Sequence, residues 1–230
     1  TSLLRMVAGL DEPDSGQIIR QNNLRIAYLP QNPVFPEHST VLSYSLDGNS
    51  DTDWLVQSNL NRLGITQYEI PIEQLSGGQR RRVALAKVLA SDFDVLLLDE
   101  PTTGLDVLAR EDLLSMLREY MEENENRTIL ISSHISTDLE GLCDDLYMID
   151  NGKVVLHEEI DTLLGQYGLL KISSEQYDTL DKNYLLRKKR ESWGYACLTN
   201  QKQFYLENYP SYTMEKAHHH GADQAYRHTA

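Results

Sequence analysis

Short apolar runs alternate with stretches of helical periodicity along much of the chain. The aliphatic run at 95–98 predicts a strand that is buried on both faces, and residues 128–132 predict a second strand. Amphipathic spacing predicts helices at 80–90 and 107–121, on either side of the first strand. Strands that alternate with helices are typical of a largely parallel sheet, which binds ligands beyond the carboxyl ends of its strands.

The first part of the chain contains shorter signals. Apolar residues at helical spacing within 1–10 predict a helix at the start of the chain. Residues 18–20 and 24–29 predict two short strands around a pair of asparagines. Three prolines after the second of these strands forbid regular pairing, which places Gln31 in a loop.

Further helices and a hairpin are predicted beyond this loop. Helix-capping residues, followed by apolar residues at i, i+4 and i+7, predict a helix within 51–64. A short helix is predicted at 137–143, and a hairpin with an Asn-Gly turn at 151–152 is predicted over 147–156.

Composition and charge limit the classes of function. The 230 residues carry a net charge of −14, which disfavours electrostatic capture of nucleic acid phosphates. The basic run at 187–190 is interpreted as a solvated charged face. No apolar run approaches the roughly 20 residues of a membrane helix, so any membrane role requires a partner. The two cysteines lack metal-ligand spacing, which favours free thiols in a reducing cytosol.

A glycine-rich turn, Leu75-Ser76-Gly77-Gly78-Gln79, stands directly before a predicted helix. Glycines let backbone amides approach an anion closely, and Ser76 can donate a hydrogen bond from its hydroxyl group. The partial positive charge at the N-terminus of the helix favours phosphate. The motif therefore predicts a phosphate contact, although a turn that only caps the helix would also explain the glycines taken alone.

Two adjacent carboxylates, Asp99 and Glu100, follow the predicted strand at 95–98. Because side chains alternate along a strand, the two carboxylates are expected to point in different directions. One of them could hold Mg²⁺ through a water molecule while the other orients an attacking water. Acidic residues are common at surfaces, so the weight of this pair comes from its order and spacing after the glycine-rich turn.

The series of motifs resembles that of the ATP-binding cassette (ABC) ATPases over residues 1 to about 157. LSGGQ at 75–79 is followed by VLLLDEP at 95–101, by TTGLD at 102–106 and by His134 after a strand. In this family the first of these segments is the signature motif, and the name is used below for residues 75–79.

The resemblance implies an α/β fold of the P-loop NTPase type. That fold has a mainly parallel sheet with helices on both faces and a helical arm, which would cover about residues 32–92 and include the predicted helix within 51–64. The implied ATPase domain covers residues 1–157, and the polar stretch at 158–216 is expected to form a small α+β accessory region. The end of the chain at 217–230, with its three consecutive histidines, is expected to be a disordered tail.

The resemblance also implies roles for single residues at the site. Asp99 would hold Mg²⁺, Glu100 would polarise the attacking water and His134 would contact the γ-phosphate of ATP. Gln31 would touch Mg²⁺ and water and link the site to a transport partner. A lone histidine or loop glutamine is more often structural or solvated, so these two assignments depend on their place in the series.

Two further segments gain roles from the resemblance. The signature motif would read the γ-phosphate of an ATP molecule bound to the opposite subunit of a dimer. Asp106 would belong to a loop that couples the two sites of that dimer. Within the signature motif, the predicted nucleotide contacts are Ser76, Gly77, Gly78 and Gln79.

A P-loop ends in Gly-Lys before its Ser or Thr, because the lysine neutralises phosphate charge. Neither that lysine nor the glycine-rich turn before it occurs in the 230 residues. Thr1 and Ser2 resemble the residues that follow the lysine, which would make Thr1 a magnesium ligand and Ser2 a phosphate contact. We expect the chain as it stands to bind ATP poorly and to hydrolyse it negligibly.

Two kinds of ABC protein remain open, a transporter ATPase and a soluble cassette protein that remodels a ribosome or a DNA complex. A third kind, a non-catalytic regulatory cassette, is disfavoured because Glu100 and His134 are both present. Residues 103–156 and 167–198 resemble bacterial exporter ATPases for peptides or drugs, whereas residues 10–75 resemble soluble paired cassettes that act on ribosomes. The single set of motifs and the acidic charge favour the ATP-hydrolysing subunit of a transporter. Such a subunit would form a homodimer or heterodimer of ATPase domains and bind an integral membrane permease subunit, without binding nucleic acid. It would lie in the cytoplasm, peripheral on the inner face of the cell membrane.

Overall fold

The structure is a computed structural model that describes residues 2–46, 52–124 and 126–216. The chain forms two compact units, which divide between His134 and Ile135. Thr1, a predicted magnesium ligand, and the predicted tail at 217–230 lie outside the described residues.

A three-stranded parallel sheet organises the first unit. Its strands are β1 (Ile26–Leu29), β2 (Val95–Asp99) and β3 (Thr128–Ser132), in the order β1-β2-β3. The register pairs Leu29 with Leu98 and Asp99 with Ser132, so the three strands end at the same edge of the sheet. Three successive leucines of the middle strand are 0% exposed. The parallel sheet and its doubly buried strand are therefore confirmed.

Five α-helices accompany this sheet among the described residues of the first unit. They are α1 (Ser2–Ala8), α2 (Val41–Leu46), α3 (Asp53–Arg62), α4 (Gly77–Leu89) and α5 (Val107–Glu122), and a short 3-10 helix covers Ile72–Gln74. The first helix packs against β1 and β2, while α4 packs against β1, α2 and α3. The predicted helices are confirmed, although α4 begins three residues before position 80 and Asp51 is not described.

The strand predicted at 18–20 is wrong. Ile19 is 84% exposed, and no ladder partner is recorded for this segment in the described part of the chain. The guanidinium group of Arg20 instead donates to the carbonyl oxygens of Met6 (2.5 Å) and Val7 (3.0 Å). These bonds reach carbonyl oxygens in the last turn of α1, where a helix runs out of its own N–H donors, and they add to the bond that Gly9 N–H makes to Met6. The segment thus serves as a helix cap.

The second unit begins with a short helix and a β-hairpin. Helix α6 (Ser136–Glu140) is shorter than the predicted helix at 137–143, and strands β4 (Asp145–Asp150) and β5 (Lys153–Glu159) pair antiparallel. Asn151 and Gly152 have φ angles of 47° and 73°. A type I′ turn requires positive φ at both central residues, so the predicted hairpin and its turn are confirmed.

The rest of the second unit is a split βαβ arrangement. Its elements are α7 (Ile160–Gln166), β6 (Gly168–Ile172), α8 (Ser174–Thr179), β7 (Leu185–Glu191), β8 (Gly194–Thr199), α9 (Lys202–Asn208) and β9 (Thr213–Lys216). The strands pair antiparallel in the order β7-β8-β6-β9, with β7 and β9 at the edges. From β6 onwards this is a β-α-β-β-α-β topology. The predicted α+β character is confirmed, while the proposed domain boundary at 157 stays a prediction.

An aromatic core holds the four-stranded sheet to its helices. Leu170, Ile172 and Cys197 on the sheet pack with Tyr177 and Tyr205 from the helices. Burial raises the pKa of the Cys197 thiol to about 11, and the two cysteines of the chain are free, as predicted. None of the helices in the described residues combines the length and the apolar character that a bilayer crossing requires.

Candidate functional site

The carboxyl ends of the parallel strands bring together most of the predicted site residues of the first unit. Gln31 follows β1, Glu100 follows β2 and His134 follows β3. Because the three strands are parallel and end in register, the loops that follow them lie along one edge of the sheet. Gln31, Glu100 and His134 are far apart in the sequence, but their loops lie at the edge where such sheets bind ligands.

Asp99 is the last residue of β2 and is 5% exposed. The Ser132 hydroxyl donates to its Oδ1 atom at 2.7 Å, and the Tyr28 hydroxyl donates to its Oδ2 atom at 3.4 Å. Burial raises the pKa of Tyr28, and the negative charge of Asp99 raises it further. Two neutral hydroxyl groups therefore orient the carboxylate of Asp99, and neither was identified from the sequence.

Glu100 has an unusual backbone conformation. Its φ angle of 53° is in the left-handed region, which costs energy for a residue with a side chain. Its backbone N–H donates to the Ser132 carbonyl oxygen at 3.0 Å, which holds the turn against β3. Its Oε2 atom accepts a hydrogen bond from the Thr103 hydroxyl at 3.2 Å. The side chains of Glu100 and Asp99 thus contact different groups, although Glu100 lies beyond the end of the strand.

His134 lies beside the carboxylate of Glu100. The Nδ1 atom of its ring is 2.6 Å from Oε2 of Glu100, and its backbone N–H donates to the same oxygen at 3.4 Å. The side chain of His134 is 62% exposed, whereas that of Glu100 is 18% exposed. The geometry therefore joins the two residues in a pair that presents an accessible imidazole ring. The predicted contact of this ring with a γ-phosphate stays a prediction.

The loop that contains Gln31 is held by Arg81. The Gln31 side chain is exposed, and the Gln31 backbone carbonyl oxygen accepts a hydrogen bond from Nη2 of Arg81. Nη1 of Arg81 donates to the carbonyl oxygens of Thr103 and, at 3.4 Å, Glu100. Arg81 lies on α4, two residues after the signature motif, and the sequence did not indicate its role.

The signature motif forms the start of α4. Ser76 is the N-cap residue, and its Oγ atom accepts from the backbone N–H of Gln79 at 3.2 Å. The Gln79 side chain accepts in turn from the backbone N–H of Ser76 at 3.0 Å, which completes a capping box. Capping therefore explains part of the motif. Because Ser76 accepts this bond, its own hydroxyl proton remains able to reach a ligand.

The glycines of the signature motif differ in their surroundings. A Cβ atom on Gly77 would meet no atom within 4 Å, whereas a Cβ atom on Gly78 would lie 2.9 Å from the carbonyl oxygen of Gly104. Gly104 has a φ angle of 77°. The start of α4 thus packs directly on the loop at 102–106, which only a glycine at position 78 allows.

Two further residues, Asp106 and Ser2, were predicted to contact the nucleotide or its phosphates. Asp106 is the N-cap residue of α5, and its Oδ1 atom accepts from the backbone N–H of Ala109 at 2.9 Å. Ser2 is the exposed first residue of α1. The roles of Asp106 and Ser2 at a nucleotide stay predictions, as does that of Thr1.

The donor groups at the sheet edge fit Mg²⁺. Asp99 and Glu100 provide hard carboxylate oxygens, and Asp99 is held in place by hydroxyl groups. No group of three or more His, Cys, Asp and Glu residues is placed to hold a metal within the described ranges. Mg²⁺ suits such a site, because it is usually bound by one or two carboxylates together with water and substrate phosphates.

Comparisons with known proteins agree with the motif series. The family model described as ABC transporter matches residues 1–103. The chain is 30% identical over 181 residues to the thiamine import ATP-binding protein ThiQ of Vibrio vulnificus, covering 71% of this chain and 76% of that protein. It is 31% identical over 173 residues to the Nod factor export ATP-binding protein I of Ralstonia nicotianae, covering 67% of this chain. The aligned region spans 53% of that relative's length.

A solved structure shows the same fold. The crystal structure of the complex of an archaeal ribosomal stalk protein and the archaeal ribosome recycling factor matches with a TM-score of 0.60 and 25% identity. The match covers 90% of this chain and 40% of that chain. Since both the sequence relatives and the fold agree with the residues at the sheet edge, the chain belongs to the ABC transporter family of ATP-binding proteins.

Proposed function

We propose that the chain is the ATP-binding and ATP-hydrolysing part of an ABC transporter. The observation that carries this proposal is the pairing of Glu100 with His134 beside the buried Asp99, at the carboxyl edge of a parallel sheet. Catalysis of phosphoryl transfer needs positioned charges more than covalent chemistry, and this arrangement offers them.

Each residue at the edge has a distinct task in this proposal. Asp99 would hold Mg²⁺, and Ser132 and Tyr28 keep its carboxylate in one orientation. Glu100 accepts a proton from the attacking water, and His134 hydrogen-bonds both Glu100 and a phosphate oxygen. Gln31, in its exposed loop, would contact the same water and the metal. Bound ATP would supply the phosphoryl group, and Mg²⁺ would neutralise charge on its phosphates.

The signature motif acts on a second ATP molecule in this proposal. Ser76, Gly77, Gly78 and Gln79 contact the γ-phosphate of an ATP molecule held by another ATPase domain. The loop at 102–106, including Asp106, packs on Gly78 and couples the two sites. The functional unit is thus a homodimer or heterodimer that closes around two ATP molecules.

The proposed partner is an integral membrane permease subunit, which would hold the chain at the cytoplasmic face of the cell membrane. The names of the two relatives support an ATP-binding role in transport, one in import and one in export. We favour export, because residues 103–156 and 167–198 resemble exporter ATPases. A soluble role on ribosomes is the second candidate, and the structural match to a ribosome recycling factor supports it. Co-purification of a membrane protein would support transport, and co-purification of ribosomal RNA would support the alternative.

The test of the proposed site is Mg²⁺-dependent ATP binding and hydrolysis. Because the 230 residues contain no P-loop lysine, we expect weak ATP binding by the chain alone and activity in a version preceded by a P-loop segment. In that version, Glu100→Gln should lower kcat by a factor of about 100 or more, since general base catalysis contributes that much, and should preserve ATP binding.

Glu73→Gln is the matched control, because it makes the same chemical change at an exposed residue outside the sheet edge. Its kcat should stay within about twofold of the parent. Normal hydrolysis by the Glu100→Gln variant would show that the proposed base is wrong. Strong hydrolysis by the chain alone would show that a P-loop lysine is not needed.

A further inference from the structure

Three consecutive arginines at 80–82 lie near the start of α4, and each donates to a different part of the first unit. Arg80 donates to two carbonyl oxygens of the 3-10 helix before the signature motif, at 2.7 and 3.1 Å. Arg82 donates to the carbonyl oxygen of Leu63 at 2.9 Å, at the end of α3. These two residues therefore fix α4 to neighbouring elements of the arm.

Arg81 instead reaches the loops at the edge of the parallel sheet. Its acceptors are the backbone carbonyl oxygens of Gln31, which lies 50 residues earlier, and of Glu100 and Thr103. Gln31 belongs to the loop after β1, and the other two belong to the turn after β2. One side chain thus joins the helix of the signature motif to two of the three loops that carry predicted site residues.

The guanidinium group suits this task. It is planar and has five N–H donors in a fixed geometry, so it can bind carbonyl oxygens of two loops at once. Burial lowers the pKa of Arg81, and the negative charges of Glu100 and Asp99 oppose that change. Arginine remains charged in proteins. The hydrogen bonds of Arg81 to backbone oxygens therefore hold the two loops in place. Its guanidinium group also adds positive charge near the carboxylates of Asp99 and Glu100.

We propose that Arg81 is a positioning residue. It couples the position of the signature motif to the conformation of two segments, the loop that contains Gln31 and the turn at Glu100–Thr103. The functional meaning of this link rests on the proposed ATPase function. A displacement of the first turn of α4 moves the guanidinium group, and both loops then lose or gain their hydrogen bonds together. Contact with the opposite subunit at the signature motif can thereby change the geometry around Glu100 in the same chain.

Hydrogen exchange of the chain as it stands tests the physical link without nucleotide. In Arg81→Met, the backbone amides at 31–32 and 102–105 should exchange at least about fivefold faster, because each lost hydrogen bond is worth about a factor of five. Arg82→Met is the matched control and should speed exchange at 62–66 instead. Arg81→Lys keeps the charge without the planar fork and should give an intermediate increase at the two loops.

Three outcomes would overturn the proposal. Exchange at the two loops could be unchanged in Arg81→Met, or it could rise in only one of them. It could also rise equally across the whole first unit in Arg81→Met and Arg82→Met, which would mean a general loss of stability. Since Arg81→Lys retains the charge and most of the side chain, it decides the matter if Arg81→Met fails to fold.

Kinetics of the version with a P-loop segment separate positioning from stability. Arg81→Met should lower kcat about tenfold and leave KM for ATP within about twofold, because it disturbs the geometry around Glu100 more than binding. Arg81→Lys should recover part of the lost kcat, and Arg82→Met should leave kcat within about twofold. Equal losses of kcat in Arg81→Met and Arg82→Met would contradict the proposal. If the parent protein does not hydrolyse ATP, the proposed function fails, while the exchange experiment still decides the link.

Discussion

At the scale of single residues, the hydroxyl groups of Ser132 and Tyr28 lie at different distances from the Asp99 carboxylate. We expect the hydroxyl group with the shorter hydrogen bond to stabilise the protein more. Ser132→Ala and Tyr28→Phe each remove one oxygen that donates to the same buried carboxylate, at 2.7 Å and 3.4 Å. A short bond to a charged group contributes about 1.5–3 kcal/mol, and a long bond contributes much less. Urea unfolding should therefore show a larger loss for Ser132→Ala. An equal or larger loss for Tyr28→Phe would contradict this interpretation.

Sequence reasoning predicted the candidate residues of the chemistry but not the residues that hold them in place. Asp99, Glu100 and His134 follow strands in a recognisable series, and the structure places them together. The roles of Ser132 and Arg81 depend on residues 33 and 50 positions away. Such contacts leave no periodic pattern in the sequence. The left-handed φ angle of Glu100 is also invisible in the sequence, since glutamate rarely adopts it.

At the scale of elements, an ion pair links the residues that precede strands β1 and β2. The guanidinium group of Arg25, just before β1, hydrogen-bonds Asp94, just before β2, at 2.6 Å. The Asp94 backbone N–H donates in turn to the Arg25 carbonyl oxygen at 2.9 Å. The Arg25 side chain, helped by its backbone N–H, lowers the pKa of Asp94 to about 2. This contact favours the register in which Ile26 pairs with Val95.

The Asp94 contact predicts a pH dependence of stability. A carboxylate with a lowered pKa stabilises the folded state above its unfolded pKa of about 3.8, and this contribution is lost as the pH falls through about 2. The free energy of unfolding should therefore fall less steeply from pH 4.5 to pH 2 in Asp94→Asn than in the parent chain. Urea unfolding across this range measures the slopes.

Asp92→Asn is the control for this experiment, because Asp92 also contacts Arg25 but its side chain is 81% exposed. It should leave the slope near that of the parent, since exposed ion pairs contribute little. Equal slopes for Asp94→Asn and the parent would show that the Arg25–Asp94 pair does not set the acid dependence.

Local patterns predicted elements better than they predicted pairing. The Asn-Gly turn at 151–152 specified its hairpin, because a type I′ turn needs residues that tolerate positive φ. The apolar segment at 18–20 looked like a strand, but bonds from Arg20 to α1 override that preference. The order β7-β8-β6-β9 joins strands that are distant in sequence, so the sequence could indicate only an α+β region at 158–216.

At the scale of the whole molecule, positive charge is concentrated on an edge strand of an acidic protein. The chain has a net charge of −14, and five of the nine Lys and Arg residues between 135 and 216 lie within 182–190. Strand β7 is at the edge of the four-stranded sheet. Edge strands leave backbone groups able to pair with another chain, and charged side chains oppose such pairing. The basic run thus has a more specific explanation than a solvated face.

This explanation predicts that removing charge from β7 will cause self-association. Arg187→Val with Arg190→Val removes two of the four positive charges of this run and makes the edge more apolar and more β-prone, so two copies can pair edge to edge. Sedimentation should show a larger mass than for the parent chain at equal concentration. Arg110→Val with Arg118→Val removes the same charge from α5 and should leave the mass unchanged, because a helix surface offers no unpaired strand. Association of both variants would mean that net charge, rather than the strand edge, keeps the chains apart.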